Sequence, residues 1–184
     1  MNDLSYNERS WAIDLISAIG QYSSVKPLAI RRAGGEHTLK AGEGLGKHLF
    51  PDVLLFGDDE GIRVRHGWEL KFPDTPIDDS ELILNATEKA QRLRVNSFLL
   101  WNVDRAVLYV QKEEAGTFEA VKAWGPLGVA DRASVKGSEA AWRLLLREIL
   151  DDINEFFARG ELKSASPTEL FDETFFSGFI NEYV

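Results

Sequence analysis

Two apolar, strand-like runs, residues 52–56 and 62–72, stand on either side of Gly57-Asp58-Asp59-Glu60-Gly61. Apolar and β-branched runs separated by a Gly/Asp turn predict a pair of adjoining strands, and this pair constrains the fold more than any other feature of the chain. The first run opens on an acid, in Phe50-Pro51-Asp52-Val53-Leu54-Leu55-Phe56. The second ends on Gly67-Trp68-Glu69-Leu70-Lys71, interrupted by Pro73-Asp74-Thr75-Pro76.

The remaining patterns alternate between helical and extended periods. Trp11, Ala12, Leu15, Ile16 and Ile19 predict a helix over 6–19, with Ser5 and Glu8 spaced as a capping box and Gly20 as its stop. A strand over 25–33 and a glycine-rich polar loop over 34–47 lead into the hairpin. After it, Asp78, Asp79 and Ser80 are N-cap candidates for a helix over 81–95 with Ile83, Ala86, Ala90 and Leu93 on its apolar face. Strands are expected over 97–101, 106–111 and 117–124, and a loop over 126–137. The stripe Trp142, Leu145, Leu146, Ile149, Ile153, Phe156 and Phe157 predicts a core-packing helix over 139–158, capped by Ser138 and ended by Gly160. Ser166-Pro167-Thr168-Glu169 predicts a last helix carrying Leu170, Phe171, Phe175, Phe176 and Phe179. Its apolar, uncapped end suggests a chain that continues, or a segment that docks on a partner. The expected organisation is an α/β core over 1–125, a loop and long amphipathic helix packing on it over 126–160, and a helical extension or linker over 161–184. The fold class is a central mixed β-sheet flanked by helices with a C-terminal helical extension.

Composition narrows the chemistry. Of 184 residues 44% are hydrophobic, including five Trp and eleven Phe, enough for a substantial core. The chain has no cysteine, which removes disulfides, thiolate metal sites and Cys nucleophiles. It has no apolar run near the ~20 residues of a membrane span and starts on polar residues, so a cytoplasmic protein with no membrane partner is expected. The net charge of −9 argues against a generic nucleic-acid-coating protein. It is unevenly spread: from residue 151 onward eight acids face two bases, whereas 26–48 holds five bases (Lys26, Arg31, Arg32, Lys40, Lys47) against Glu36 and Glu43. A phosphate backbone would favour that basic stretch, which reads equally well as solvated surface.

The chemistry-bearing residues are Asp52, Glu69 and Lys71. Positions i and i+2 of a strand share a face, so Glu69 and Lys71 project together while Leu70 points away. Asp52 lies on the neighbouring strand near the end that pairs with Glu69. Two carboxylates suit a hard cation such as Mg²⁺, which keeps waters and substrate oxygens in its other positions. Such a cation lowers the pKa of bound water and polarises a phosphoryl group, and a neighbouring ammonium can orient the water and offset growing charge.

The order helix, strand, strand with Pro-Asp, strand with Glu-x-Lys, helix, strand resembles the PD-(D/E)xK nuclease superfamily, the restriction-endonuclease-like fold, over residues 8–109. Trp68-Glu69-Leu70-Lys71-Phe72-Pro73-Asp74-Thr75-Pro76, Lys89-Ala90-Gln91 and Phe98-Leu99-Leu100-Trp101-Asn102 resemble nuclease domains of bacterial restriction and defence systems. The resemblance implies hydrolysis of DNA phosphodiesters to 5′-phosphate ends, with Mg²⁺ (Mn²⁺ substituting) on Asp52 and Glu69 and Lys71 assisting the nucleophile. It adds Glu8 as a first-helix metal ligand and Gln91 as a polar helix residue at the site. Arg31, Arg32, Lys40, Lys47, Lys89 and Arg92 are candidate DNA contacts. It implies a recognition or methyltransferase domain or subunit as partner, and leaves the oligomeric state open, a dimer included.

Other signals carry less. Gly42-Glu43-Gly44-Leu45-Gly46-Lys47 departs from the P-loop pattern at Ala41 and His48. His37, His48 and His66 are too scattered for a metal cluster and are expected at the surface. Two alternatives stay open: a catalytically inactive module that binds nucleic acid or serves as a scaffold, and a ribonuclease.

Overall fold

The computed structural model describes residues 6–35, 50–61, 63–112 and 116–164. Six strands form one mixed sheet in the order β1 (Arg32–Gly34), β2 (Val53–Phe56), β3 (Val64–Leu70), β4 (Ser97–Trp101), β5 (Ala106–Gln111) and β6 (Phe118–Trp124). Spatial order equals chain order. β1–β2–β3 and β4–β5–β6 are antiparallel meanders, and β3 and β4 are joined in parallel. A parallel pair needs a crossover, which is supplied by helix α2 (Ser80–Arg92).

The sheet is covered on both faces. Helices α1 (Glu8–Val25) and α4 (Glu139–Ala158) pack on the side to which Val53, Leu55, Trp68, Leu70, Leu99 and Trp101 project. Helix α2 covers Leu54, Phe56, Val64, Phe98 and Leu100 with Leu82, Ala86, Ala90 and Leu93. This explains why β2 and β4 read as unbroken apolar runs: each alternate residue meets a helix layer. At the centre of the larger layer Trp101 meets the rings of Trp11 and Trp68 edge-on, at centroid distances of 5.2 and 5.8 Å. Each buried aromatic of this kind contributes roughly 1.5–3 kcal/mol.

Two acids of the acid-rich segment after residue 150 tie elements of the fold together. Asp151 accepts from Tyr22 of α1 and from Lys26 just past its end, and Asp152 accepts from Trp124 Nε1 and pairs with Lys122 of β6. The chain after α4 returns to the segment leading into β4, where Ser164 bridges Val95 and Asn96 exchanges hydrogen bonds with Lys163.

Several expectations are corrected. Helix α1 passes through Gly20 and ends at Val25, because Gly20 faces open space and the hydrogen-bond ladder continues past it; the strand expected over 25–33 shrinks to Arg32–Gly34. Asn7 caps α1, accepting from Ser10 N–H at 3.0 Å, so Glu8 is the first helical residue rather than the third of a box. The stretch 126–137 is not all loop: Asp131 caps a short helix α3 (Arg132–Val135), and a 3₁₀ turn (Lys136–Ser138) carries the chain directly into α4. Ser138 accordingly makes no capping bond and donates to the Val135 carbonyl. The helix expected from Ser166 lies outside the described residues.

Candidate active site

The register of the first hairpin builds the site. Val53 pairs with Trp68 across β2 and β3, which sets Asp52 at the mouth of β2 beside Glu69 near the end of β3. Asp52 Oδ2 accepts the backbone N–H of Leu70 at 2.8 Å, fixing the acid to the residue between Glu69 and Lys71. Gly67 makes the close approach possible. A Cβ on it would lie 2.5 Å from Pro51 Cγ, so only glycine lets the Pro-Asp turn fold down on β3. Beyond Leu70 the strand still holds to β4, through Lys71 N–H to the Trp101 carbonyl at 3.0 Å.

By the alternation of β3, Glu69 faces α2. It is 5% exposed, and its Oε1 accepts from Lys89 Nζ of that helix at 2.7 Å. Burial and the neighbouring Asp52 charge outweigh Lys89 and Lys71, and the Glu69 carboxyl is pushed up to about 7. Between β3 and α2 opens a cleft of about 410 Å³, lined by Glu69, Lys71, Thr75, Asp79, Asn85 and Lys89 among others. Asp79 also caps α2 through Leu82 N–H, so one acid of the cleft wall is committed to the helix start.

Among the described residues no three His, Asp or Glu side chains gather as a metal cluster, so the available donor set is the pair Asp52 and Glu69. That set suits a cation which takes few carboxylates and keeps its waters. A carboxyl pushed upward by burial and then by a like charge is also what a bound cation would relieve.

The other candidates are placed differently. Glu8 is bound to Arg132 at 3.2 Å, and the same guanidinium holds Asp74 at 2.8 Å and lies over the Phe72 ring. Gln91 is exposed and, two residues from Lys89, projects about 200° away around α2, away from the cleft. Lys89 is the α2 side chain that reaches Glu69. The signal for it was in the sequence: Leu82, Asn85 and Lys89 share a flank at helical spacing, beside the apolar face of Ala86 and Ala90. Arg31 and Arg32 reach Asp59 at the turn between β2 and β3. Arg32 pairs with Phe56, four residues along β2 from Asp52 and so roughly 13 Å away. Arg92 is exposed at the last residue of α2. Gly34 of the expected glycine-rich loop belongs to β1, while Lys40, Lys47, His37, His48 and the rest of that loop from residue 36 lie outside the described residues.

His66 is not a surface residue. It is fully buried on β3, with Nδ1 2.9 Å from Ser97 Oγ, while Nε2 has no hydrogen-bond partner among the described residues. Desolvation lowers its pKa to about 3, so the ring is neutral and structural.

No family model matches the chain, and no curated protein or solved structure matches it. The site therefore rests on its own geometry. Among the described residues no helix is long and apolar enough to cross a membrane.

Proposed function

We propose that the chain is a Mg²⁺-dependent nuclease of the PD-(D/E)xK type that hydrolyses DNA phosphodiester bonds, on a restriction-endonuclease-like fold. The observation that carries this reading is the convergence of Asp52 and Glu69, from antiparallel neighbours β2 and β3, with Lys71 on the wall of the same cleft. Asp52 and Glu69 would hold the cation; when bound, it supplies Lewis-acid polarisation of the phosphoryl group and a more acidic water. Lys71 lies two residues from Glu69 on the same strand face, where its ammonium offsets charge developing on phosphate oxygens. Restriction or phage defence is the proposed setting. A separate recognition domain or subunit fits an acidic chain whose cleft wall includes Asp79 and Glu81, since these acids would oppose a phosphate backbone on that side.

A second reading has one observation in its favour. Lys89 already neutralises Glu69, as it would in a silent module that keeps the fold for nucleic-acid binding or scaffolding. Parallel incubation of plasmid DNA and structured RNA with Mg²⁺, with and without EDTA, separates the possibilities. EDTA-sensitive cleavage of DNA supports the proposal. EDTA-sensitive cleavage of RNA alone moves it to a ribonuclease, and no cleavage of either supports the silent module.

A further inference from the structure

The ion pair between Lys89 and Glu69 differs from the surface pairs of this chain. Its two side chains are 15% and 6% exposed, its contact is 2.7 Å, and it joins the crossover helix to the carboxylate at the head of the cleft. The ammonium holds Glu69 Oε1 at 2.7 Å, and that oxygen cannot keep the same short contact to a metal ion as well. Lys71 and Lys89 face Glu69, Asp79 and Glu81 on the cleft wall, with Asp52 beside Glu69, so acids outnumber bases there and Lys89 is the cation in direct contact with Glu69. A four-carbon stem on a helix flank can withdraw into the cleft without moving α2.

Building on the metal site of the proposed nuclease, we infer that Lys89 is a built-in placeholder cation, which holds Glu69 in the metal-free protein and is displaced when a divalent ion binds. Lys89 is thus a positioning residue that sets how tightly the site loads metal.

Calorimetric titration with Mn²⁺ tests this on the full chain, with Lys89→Met and Lys89→Arg as variants. Lys89→Met keeps the stem and removes the competing charge, so Mn²⁺ should bind roughly fivefold tighter or more than to the unaltered protein. Lys89→Arg keeps the charge and should bind no tighter than the unaltered protein. Thermal unfolding without metal should show Lys89→Met less stable, with added Mn²⁺ restoring the difference. If Lys89→Met does not fold, Lys89→Gln replaces it with the same expectation. Equal or weaker Mn²⁺ binding by the neutral variant would overturn the placeholder role while leaving the metal site standing. Failure of the unaltered protein to bind Mn²⁺ would overturn the metal reading, and this inference with it.

Discussion

The carboxylate of Asp52 is held by the backbone N–H of Leu70, 2.8 Å away, so the Pro-Asp turn and the Glu-x-Lys strand are fastened together by the residue between Glu69 and Lys71. The side chain thus has two separable properties, an acceptor for Leu70 and a negative charge beside Glu69. Asp52→Asn keeps the first and removes the second. It should abolish metal-dependent cleavage and leave the folding stability unchanged or raised by up to about 1 kcal/mol of relieved repulsion. Asp52→Ala removes both and should lose about 1 kcal/mol of stability. Thermal unfolding of the two variants without metal, beside a cleavage assay, checks this; an Asn variant as destabilised as the Ala variant would contradict it.

Gly67 is the position where a single methyl group reaches the site. An added Cβ would overlap Pro51, whose ring cannot rotate aside as a flexible side chain would. Gly67→Ala should cost about 1–3 kcal/mol and displace Asp52 as well. The expected outcome is a lower urea midpoint together with weaker Mn²⁺ binding. A variant of normal stability and metal affinity would show that Pro51 does not depend on this contact.

Glu69 should impose a pH dependence on metal loading. Its folded carboxyl, pushed up to about 7 by burial and then by Asp52, is protonated below that pH. Mn²⁺ affinity should fall as pH drops through 7, approaching roughly tenfold per pH unit. The same shift bears on stability with the sign of a raised pKa: the contribution is full below the unfolded value of about 4.5 and is lost as pH rises through 7. Titrations at pH 6 and 8 read the first effect, and identical affinities would contradict it.

His66 acts in the opposite direction. The buried neutral ring cannot take a proton until about pH 3, whereas the unfolded chain takes one near 6.5. Stability should fall as pH drops below 6.5, by up to about 1.4 kcal/mol per pH unit from this residue. The gap in urea midpoint, taken as pH 7.5 minus pH 5.0, should shift downward in His66→Asn, with Glu69 a constant background in both proteins. An unchanged gap would remove His66 as the cause.

The outline of the sheet and the helix over 139–158 were legible because their patterns were local. Val53-Leu54-Leu55-Phe56 and the Trp142 stripe need no partner to announce their period. The alternation of β3 likewise sends Glu69 towards α2, and Lys71 lines the same cleft. What sequence reasoning missed depends on neighbours distant along the chain. Gly20 reads as a stop, yet the helix continues through it and packs Trp11, Leu15 and Ile19 on the sheet. His66 reads as a surface residue, yet two helix layers bury its strand. Gln91 outranked Lys89 by likeness, although helical geometry gives the cleft to Lys89 and turns Gln91 outward. The basic stretch reads equally as a phosphate contact or as solvated surface, and its Arg31 and Arg32 lie at the far turn beside Asp59.

The central claim is that Asp52, Glu69 and Lys71 together cut a phosphodiester with a divalent cation. Conversion of supercoiled plasmid in Mg²⁺ or Mn²⁺ by the unaltered protein, Asp52→Ala and Lys71→Ala measures it directly. The prediction is EDTA-sensitive cleavage by the unaltered protein, reduced at least about 10²-fold in both variants. Equal cleavage by all three, or none by any, would contradict it.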